Sequence, residues 1–256
     1  MTATNVADQS AHGSSGKGFW ARMRAEYLTQ GIVSWLVCLI ILAPVLTILS
    51  RSLFTEESGQ AVVFTFANFV TAFTNETILK AIRTTMVASI GSTLFATFFG
   101  ISLAWLVVRT NVPGKGVLQV FNTIPFYLSP FVGAIAWSYL AAPRVGALNG
   151  LADWIGLSNT LFNIYSVGGI IWVQGIFFTP LVYLMTSSSL QQMDPSLEES
   201  SRACGRGMLQ TMFRVTLPLA TPSILSAIIL TFVSSAGEFG VPLTLGTPRN
   251  YETLST

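Results

Sequence analysis

An all-α membrane bundle is the fold class this sequence predicts, and three observations predict it. Of the 256 residues, 51% are hydrophobic and only 9% are charged, where a soluble domain carries about 25% charged residues. Five apolar stretches lie along the chain, four of them near the length that spans about 30 Å of hydrocarbon at about 1.5 Å per residue. The charged residues collect between those stretches rather than inside them.

Residues 1–18 are rich in Ser, Gly, Ala and Thr and predict a disordered tail. A secretory signal would place its apolar run earlier and follow it with a small-residue cleavage site. The first greasy run, Gly31 to Leu49, is therefore expected to remain as a span. The transmembrane domain is expected over 19–256, with further spans at 85–108, 117–142, 167–190 and 222–236, the last being the shortest. Between the first two spans, Val62, Phe64 and Phe66 alternate, which suits a short strand or an extended strip. Lys80 and Arg83 lie three apart, so a helix places them on one side. Pro125 and Pro130 fall inside the expected third span and Pro180 inside the fourth, where each removes a backbone donor and favours a kink. These prolines are candidates for a gate or translocation path, although membrane helices carry more Pro in any case. After Gly240 the remaining residues include two prolines and a glycine, too short and broken for another span. The expectation is a truncated chain or one part of a longer polypeptide.

Basic residues orient the bundle. One side collects Lys17, Arg22, Arg24, Arg109, Lys115, Arg202, Arg206 and Arg214; the other collects Arg51, Lys80, Arg83, Arg144 and Arg249. The richer side is expected to be cytoplasmic, which puts the amino terminus inside.

Several chemistries are disfavoured. A net charge of +2 is too small to suggest nucleic acid. Cys38 and Cys204 have no CxxC neighbours, and His12 has no ligand-spaced partner, so no metal site is expected. Gly13-Ser14-Ser15-Gly16-Lys17-Gly18 resembles a phosphate loop but fails: Ala11 stands where the first Gly belongs and Gly18 replaces Ser or Thr. Pro113-Gly114-Lys115-Gly116 fails too. The central parts of the first four spans lack Asp, Glu, Lys and Arg, which counts against an ion-gradient-driven secondary transporter or channel. No paired His or metal-spaced carboxylates suggest a membrane enzyme.

The segment LEESSRACGRGMLQTMFRVTLP, Leu197 to Pro218, interrupts this apolar pattern. Asp194-Pro195 suits a helix start, and Glu198 and Glu199 fall in the first turn, where the helix dipole favours negative charge. Glu198 precedes Arg202 by four, the favoured order for a helical ion pair. Leu197, Cys204, Met208, Met212 and Val215 recur at helical spacings. Gly205 and Gly207 permit a turn, and Leu217-Pro218 is expected to end the segment, with Pro222 opening the fifth span. Local physics thus gives two short amphipathic helices around a glycine turn, which could equally lie on headgroups.

The segment resembles the cytoplasmic loop of binding-protein-dependent ABC importer permeases. That pattern is Glu-Ala-Ala, three residues, Gly, nine residues, an aliphatic residue, any residue and Leu-Pro. Here Glu199-Ser200-Ser201 precedes Arg202-Ala203-Cys204 and Gly205, and Val215-Thr216-Leu217-Pro218 follows at the same spacing. Serines replace both alanines. The resemblance implies a polytopic helix bundle of the type I importer permease kind, with about five spans in this chain. It implies a loop over 194–218 that docks on a separate pair of ABC ATPase subunits. The residues implicated are Glu198, Glu199, Ser200, Ser201, Arg202, Gly205, Met208, Leu217 and Pro218, with Gly205 foremost. It also implies a soluble substrate-binding protein, a second permease half or copy, and a bacterial inner-membrane location. ATP and Mg would belong to the ATPase, so this chain would be a transport subunit rather than an enzyme.

From about Phe64 onward the chain also resembles the ferric-iron branch, through Ala104-Trp105-Leu106-Val107-Val108-Arg109-Thr110 with Pro113-Gly114, Phe162-Asn163-Ile164-Tyr165-Ser166, and Gly237-Glu238-Phe239-Gly240-Val241-Pro242 with Leu245-Gly246. Such permeases often join two halves in one polypeptide. Arg83-Thr84 departs from the Asn-Thr of that branch. Ferric iron is the cargo this resemblance implies, with polyamine, thiamine or phosphonate as the alternatives. Glu238, at the end of the fifth span, either lines the path or shapes a hydrated turn between Gly237 and Gly240.

Overall fold

The computed structural model of the protein describes residues 8–55, 63–64, 67–143, 145–156, 162–249, 251 and 253–256. The chain divides into two units, Met1–Thr74 and Asn75–Thr256.

In the first unit, helix α1 spans Asp8–Leu53. The anticipated disordered tail is therefore helical from Asp8, and no proline interrupts the helix before Pro44; helix propagation adds one bond per residue once a span has nucleated it. Its stretch Gln30–Leu53 is apolar enough to cross a membrane, and Trp35, Ile40, Leu46 and Ile48 on it are all exposed, as a lipid-solvated helix requires. Strands β1 (Phe54–Thr55) and β2 (Val63–Phe64) form an antiparallel ladder pairing Phe54 with Phe64. The short-strand expectation thus holds at Phe64, while Val62 and Phe66 lie outside the described residues. Helix α2 follows, Ala67–Thr74.

The second unit is built on two long helices, α3 (Glu76–Arg109) and α7 (Val167–Gln192). Helix α3 starts at Glu76 because Asn75 caps it, its Oδ1 accepting from the Thr77 amide at 2.8 Å. Ser166 does the same for α7, accepting from the Gly169 amide at 3.1 Å. The buried positions of α3 include Ala81, Ala88, Ser92, Ala96, Gly100 and Ala104, a stripe of small residues at helical spacing. Such a stripe lets helix backbones approach closely in lipid, where dispersion and interhelical hydrogen bonds replace the hydrophobic effect. Against it lie Val182, Tyr183 and Leu190 of α7.

The expected third span is broken. Helix α4 (Lys115–Tyr127) and α5 (Pro130–Ala141) meet at an angle of 106°. Leu128 and Ser129 are extended, and for Ser129 this is the conformation favoured in the residue before a proline. Pro130 therefore opens α5 instead of kinking a continuous helix. Pro125 remains inside α4 and Pro180 inside an unbroken α7.

Helix α6 (Ala147–Trp154) is tied to the following loop by buried Asn149. Its Nδ2 donates to the carbonyls of Ala142 and Phe162, and its Oδ1 accepts from the Phe162 amide. The last span is longer than expected. After α8 (Ser196–Ala203), helix α9 (Met208–Thr211) runs through a π-turn (Met212–Thr216) into α10 (Leu217–Ala236). Leu217-Pro218 does not end the segment and Pro222 does not open the span; both prolines sit inside one 29-residue helix, Met208–Ala236. The Leu217 amide donates to the carbonyl of Met212, five residues back, so the wide turn falls just where Pro218 can offer no donor. Helix α11 (Gly240–Gly246) then buries Val241, Pro242 and Leu245 beside α5 and α7.

Three spans share a polar node. Ser235 Oγ of α10 lies 2.9 Å from Gln174 Oε1 of α7, and Ser92 Oγ of α3 lies 3.3 Å from the same oxygen, 2.7 Å from Ser235 Oγ and 2.7 Å from the Ala88 carbonyl, so the single proton of each hydroxyl is shared among these acceptors. All three residues are buried.

Candidate functional site

The charged segment forms a helical hairpin closed at Gly205. Asp194 Oδ1 accepts from the Ser196 amide at 2.9 Å, the geometry of an N-cap ahead of Pro195. That bond, together with the Ser196 side chain, lowers the carboxyl of Asp194 below its ordinary value. At the other end of α8, the Gly205 amide donates to the Arg202 carbonyl at 2.9 Å and the Arg206 amide to the Ser201 carbonyl at 3.3 Å. These two bonds make a Schellman closure, whose pivot needs positive φ. Gly205 supplies it at +81°.

Burial divides the sequence-predicted loop residues into two sets. Glu199, Ser200, Arg202, Gly205, Met208 and Pro218 are exposed, as are Leu209 and Phe213, while Leu217 is half-buried. Glu198 and Ser201 turn inward. Ser200 Oγ donates back to the Ser196 carbonyl at 2.8 Å, a local bond. Ser201 Oγ instead lies 3.1 Å from Thr211 Oγ1 and joins α8 to α9. The second serine thus makes a link that an alanine could not.

Glu198 anchors the hairpin. The expected contact with Arg202 is present but long, Oε2 lying 3.8 Å from Nη2, and Arg202 is about half exposed. The closer partners come from elsewhere. Arg109 Nε lies 3.1 Å from Glu198 Oε1, with both side chains at most 10% exposed. The Nε proton is not aimed along that line, so the contact is an ion pair more than an aligned hydrogen bond. Thr216 Oγ1 donates to the same Oε1 at 2.7 Å. Arg109 Nη2 donates to the carbonyls of Leu190 at 2.8 Å and Met193 at 3.2 Å, at the end of α7. Removing one partner from a buried ion pair costs about 3–5 kcal/mol, because the other charge is left uncompensated.

Sequence reasoning missed Arg109, Thr211 and Thr216 as parts of this site. Arg109 was visible at a span end and within the Ala104–Thr110 motif, but no spacing connects it to Glu198.

The opposite end of the second unit holds Glu238, whereas Pro125 and Pro180 lie within α4 and α7. An open cavity of about 390 Å³ is lined by Lys80, Arg83, Thr84, Val87, Val167 and Tyr251. Lys80 also lies 3.8 Å from Glu76, both side chains being largely exposed. Glu238 is half-buried in the turn between α10 and α11; its Oε1 accepts from the Gly240 amide at 3.1 Å and its carbonyl accepts from Ser255 Oγ at 2.8 Å. The start of α5 lies close by: a Cβ on Gly240 would fall 2.7 Å from Phe131 Cβ. Among the described residues no group of three His, Cys, Asp or Glu could hold a metal ion.

Apolar spans, one of them broken, with a hairpin pinned between the last two, define a class of multi-pass helical membrane protein. Within it, the chain belongs to the family described as binding-protein-dependent transport system inner membrane component, whose model matches residues 96–254. A probable molybdenum ABC transporter permease protein of Haloferax volcanii is 32% identical over 180 residues, covering 70% of this chain and 63% of that protein. A molybdenum transport system permease protein of Escherichia coli is 31% identical over 165 residues, covering 64% and 70%. A sulfate transport system permease protein of Salmonella typhimurium is 26% identical over 213 residues, covering 83% and 72%. The crystal structure of a bacterial ABC transporter involved in the import of the acidic polysaccharide alginate has the same fold, with a TM-score of 0.72 at 22% identity, covering 92% of this chain and 82% of that one. These relatives support the permease family and not its ferric-iron branch.

Proposed function

We propose that this chain is the membrane-spanning permease subunit of an ATP-driven importer, and that residues 194–218 are its contact with a pair of ATPase subunits. The observation that carries this reading is the division of the hairpin. Glu198 and Ser201 tie it to the bundle, while Glu199, Arg202, Gly205 and Met208 stay available to a partner. ATP and Mg act on that partner. The hairpin end faces the cytoplasm, with the amino terminus on the same side, in keeping with the excess of Lys and Arg there. A soluble binding protein delivers cargo at the other end, and a second permease half or copy completes the pathway. In this scheme ATP binding closes the ATPases, the hairpin follows, and the bundle opens outward; hydrolysis resets it.

The favoured cargo is a tetrahedral oxyanion. The names of the molybdenum and sulfate relatives support it, as do Lys80 and Arg83 at the mouth opposite the hairpin. Ferric iron is the second reading, and it rests on the sequence motifs around Arg109, Phe162 and Glu238. Copurification with the cognate ATPase, followed by uptake of radiolabelled molybdate, sulfate and ferric iron in a deletion strain, tests both levels. Loss of oxyanion uptake alone supports the first reading, and loss of iron uptake alone the second. Gly205→Asp and Glu199→Ala should uncouple hydrolysis from uptake; full coupling in both would remove the basis for the loop assignment.

A further inference from the structure

We propose that Arg109 is a positioning residue that carries displacement of the hairpin directly into α3, a helix with no chain connection to it. The proposal rests on the reading of 194–218 as the ATPase contact. By chain connection the hairpin joins only α7 and α10. Movement of α8 could therefore reach α3 only through packing or side-chain contacts. Arg109 is the last residue of α3. Its guanidinium faces Glu198 of α8 with Nε at 3.1 Å. Its Nη2 donates in another direction, to the carbonyls of Leu190 and Met193 at the end of α7. Thr216, the last residue of the π-turn, closes the group by donating to the same carboxylate oxygen at 2.7 Å.

One planar group thus joins three segments at once, and its carboxylate partner adds a fourth. That use of the fork explains why arginine stands here. A lysine ammonium is a single point and cannot serve Glu198 and the α7 carbonyls with the same fixed geometry. Burial makes the link stiff, since separating the two charges would leave each without its partner in a low-dielectric setting. Arg202 does not substitute for Arg109: it lies at 3.8 Å, is half exposed, and belongs to the same helix as Glu198. It cannot connect α8 to another element. On this view α8 and the end of α3 move as one body, while the exposed face of the hairpin remains free to dock.

The test uses the full permease reconstituted with its ATPase and binding protein. Spin labels at Ala203→Cys on α8 and Phe98→Cys on α3, both exposed positions, are introduced with Cys38 and Cys204 replaced by serine. In the otherwise native chain the label distance should stay constant between nucleotide-free and ATP-bound states. Arg109→Gln should still copurify with the ATPase, yet show an ATP-dependent change in that distance and about tenfold less uptake per ATP hydrolysed. Arg109→Lys should fall between the two. A changing distance in the native background overturns the proposal, as does native uptake per ATP in Arg109→Gln. If Arg109→Gln fails to accumulate, the native-background distance and Arg109→Lys still decide. Failure of the native permease to hold its ATPase overturns the underlying loop reading instead, and is told apart because it precedes any substitution at Arg109.

Discussion

Gly100 of α3 lies directly against Val182 of α7: a Cβ placed on the glycine would fall 2.7 Å from Val182 Cβ and 3.1 Å from the Thr179 carbonyl oxygen. The central helix pair is therefore set by the absence of a side chain. Gly100→Ala should destabilise the protein by about 1–3 kcal/mol, the usual cost of overpacking. Gly116→Ala is the control, since nothing lies within 4 Å of its added Cβ. Thermal unfolding in detergent should show a lowered midpoint for the first variant and none for the second.

The polar node should matter through its shared acceptor. Gln174→Leu removes the oxygen that lies within reach of both Ser92 and Ser235 hydroxyls, and should cost about 1 kcal/mol, within the range of interhelical hydrogen bonds in membranes. The two hydroxyls can still bond each other, so unfolding should remain cooperative, with a modest fall in midpoint.

Ser200 and Ser201 should behave differently despite being neighbours. Ser201→Ala leaves the buried Thr211 hydroxyl without its partner and should cost about 1 kcal/mol. Combining it with Thr211→Val should restore most of the loss, because both polar groups are then gone. Ser200→Ala removes only an exposed local bond and should change stability by about 0.5 kcal/mol or less. A double-mutant cycle on thermal stability checks all three.

At the hairpin's closure, Gly205→Ala should cost about 1 kcal/mol because it forces a Cβ into left-handed backbone. Gly205→Asn should cost less. Gly207 has φ −68° and open space around it, so Gly207→Ala should leave protease resistance of the loop unchanged where Gly205→Ala lowers it.

Asp194 gives the hairpin a pH dependence. Its carboxyl is lowered mainly by the Ser196 amide bond, so the charged form is favoured in the folded state. Its contribution is complete above the ordinary carboxylate value and is lost as pH falls through the lowered one. Amide exchange at Ser196 should accelerate over that acidic window relative to Asp194→Asn, which keeps an acceptor oxygen and should show no such step.

Much of this architecture was legible because lipid imposes simple rules. The first, second and fourth spans follow from length and apolarity, whereas the small stripe from Ala88 to Ala104 shows as a close-packing face only once α7 lies against it. The hairpin was legible at Asp194 and Gly205, where capping chemistry is local. The break at Leu128-Ser129 was signalled by Pro130, but the unbroken apolar run masked it. The Arg109–Glu198 pair was not legible, since α3 and α8 come together only through tertiary packing. Nor was the fate of Leu217-Pro218, since the turn that accommodates the proline depends on a bond from Leu217 to Met212.

That wide turn has a consequence for how the last span is numbered around its axis. An α-helix advances about 100° per residue, so a five-residue bond accommodates one surplus residue and rotates everything beyond it by roughly that angle. Thr211 and Thr216 are both buried although five positions apart, a separation that an undistorted helical wheel would place well apart. The face of α10 presented to α3 and α7 is thus in phase with the hairpin only because the wide turn absorbs the surplus residue. Deleting a single residue between Met212 and Thr216 should remove the wide turn and leave Ser235 facing Gln174, whereas straightening the helix at its present length would turn Ser235 away.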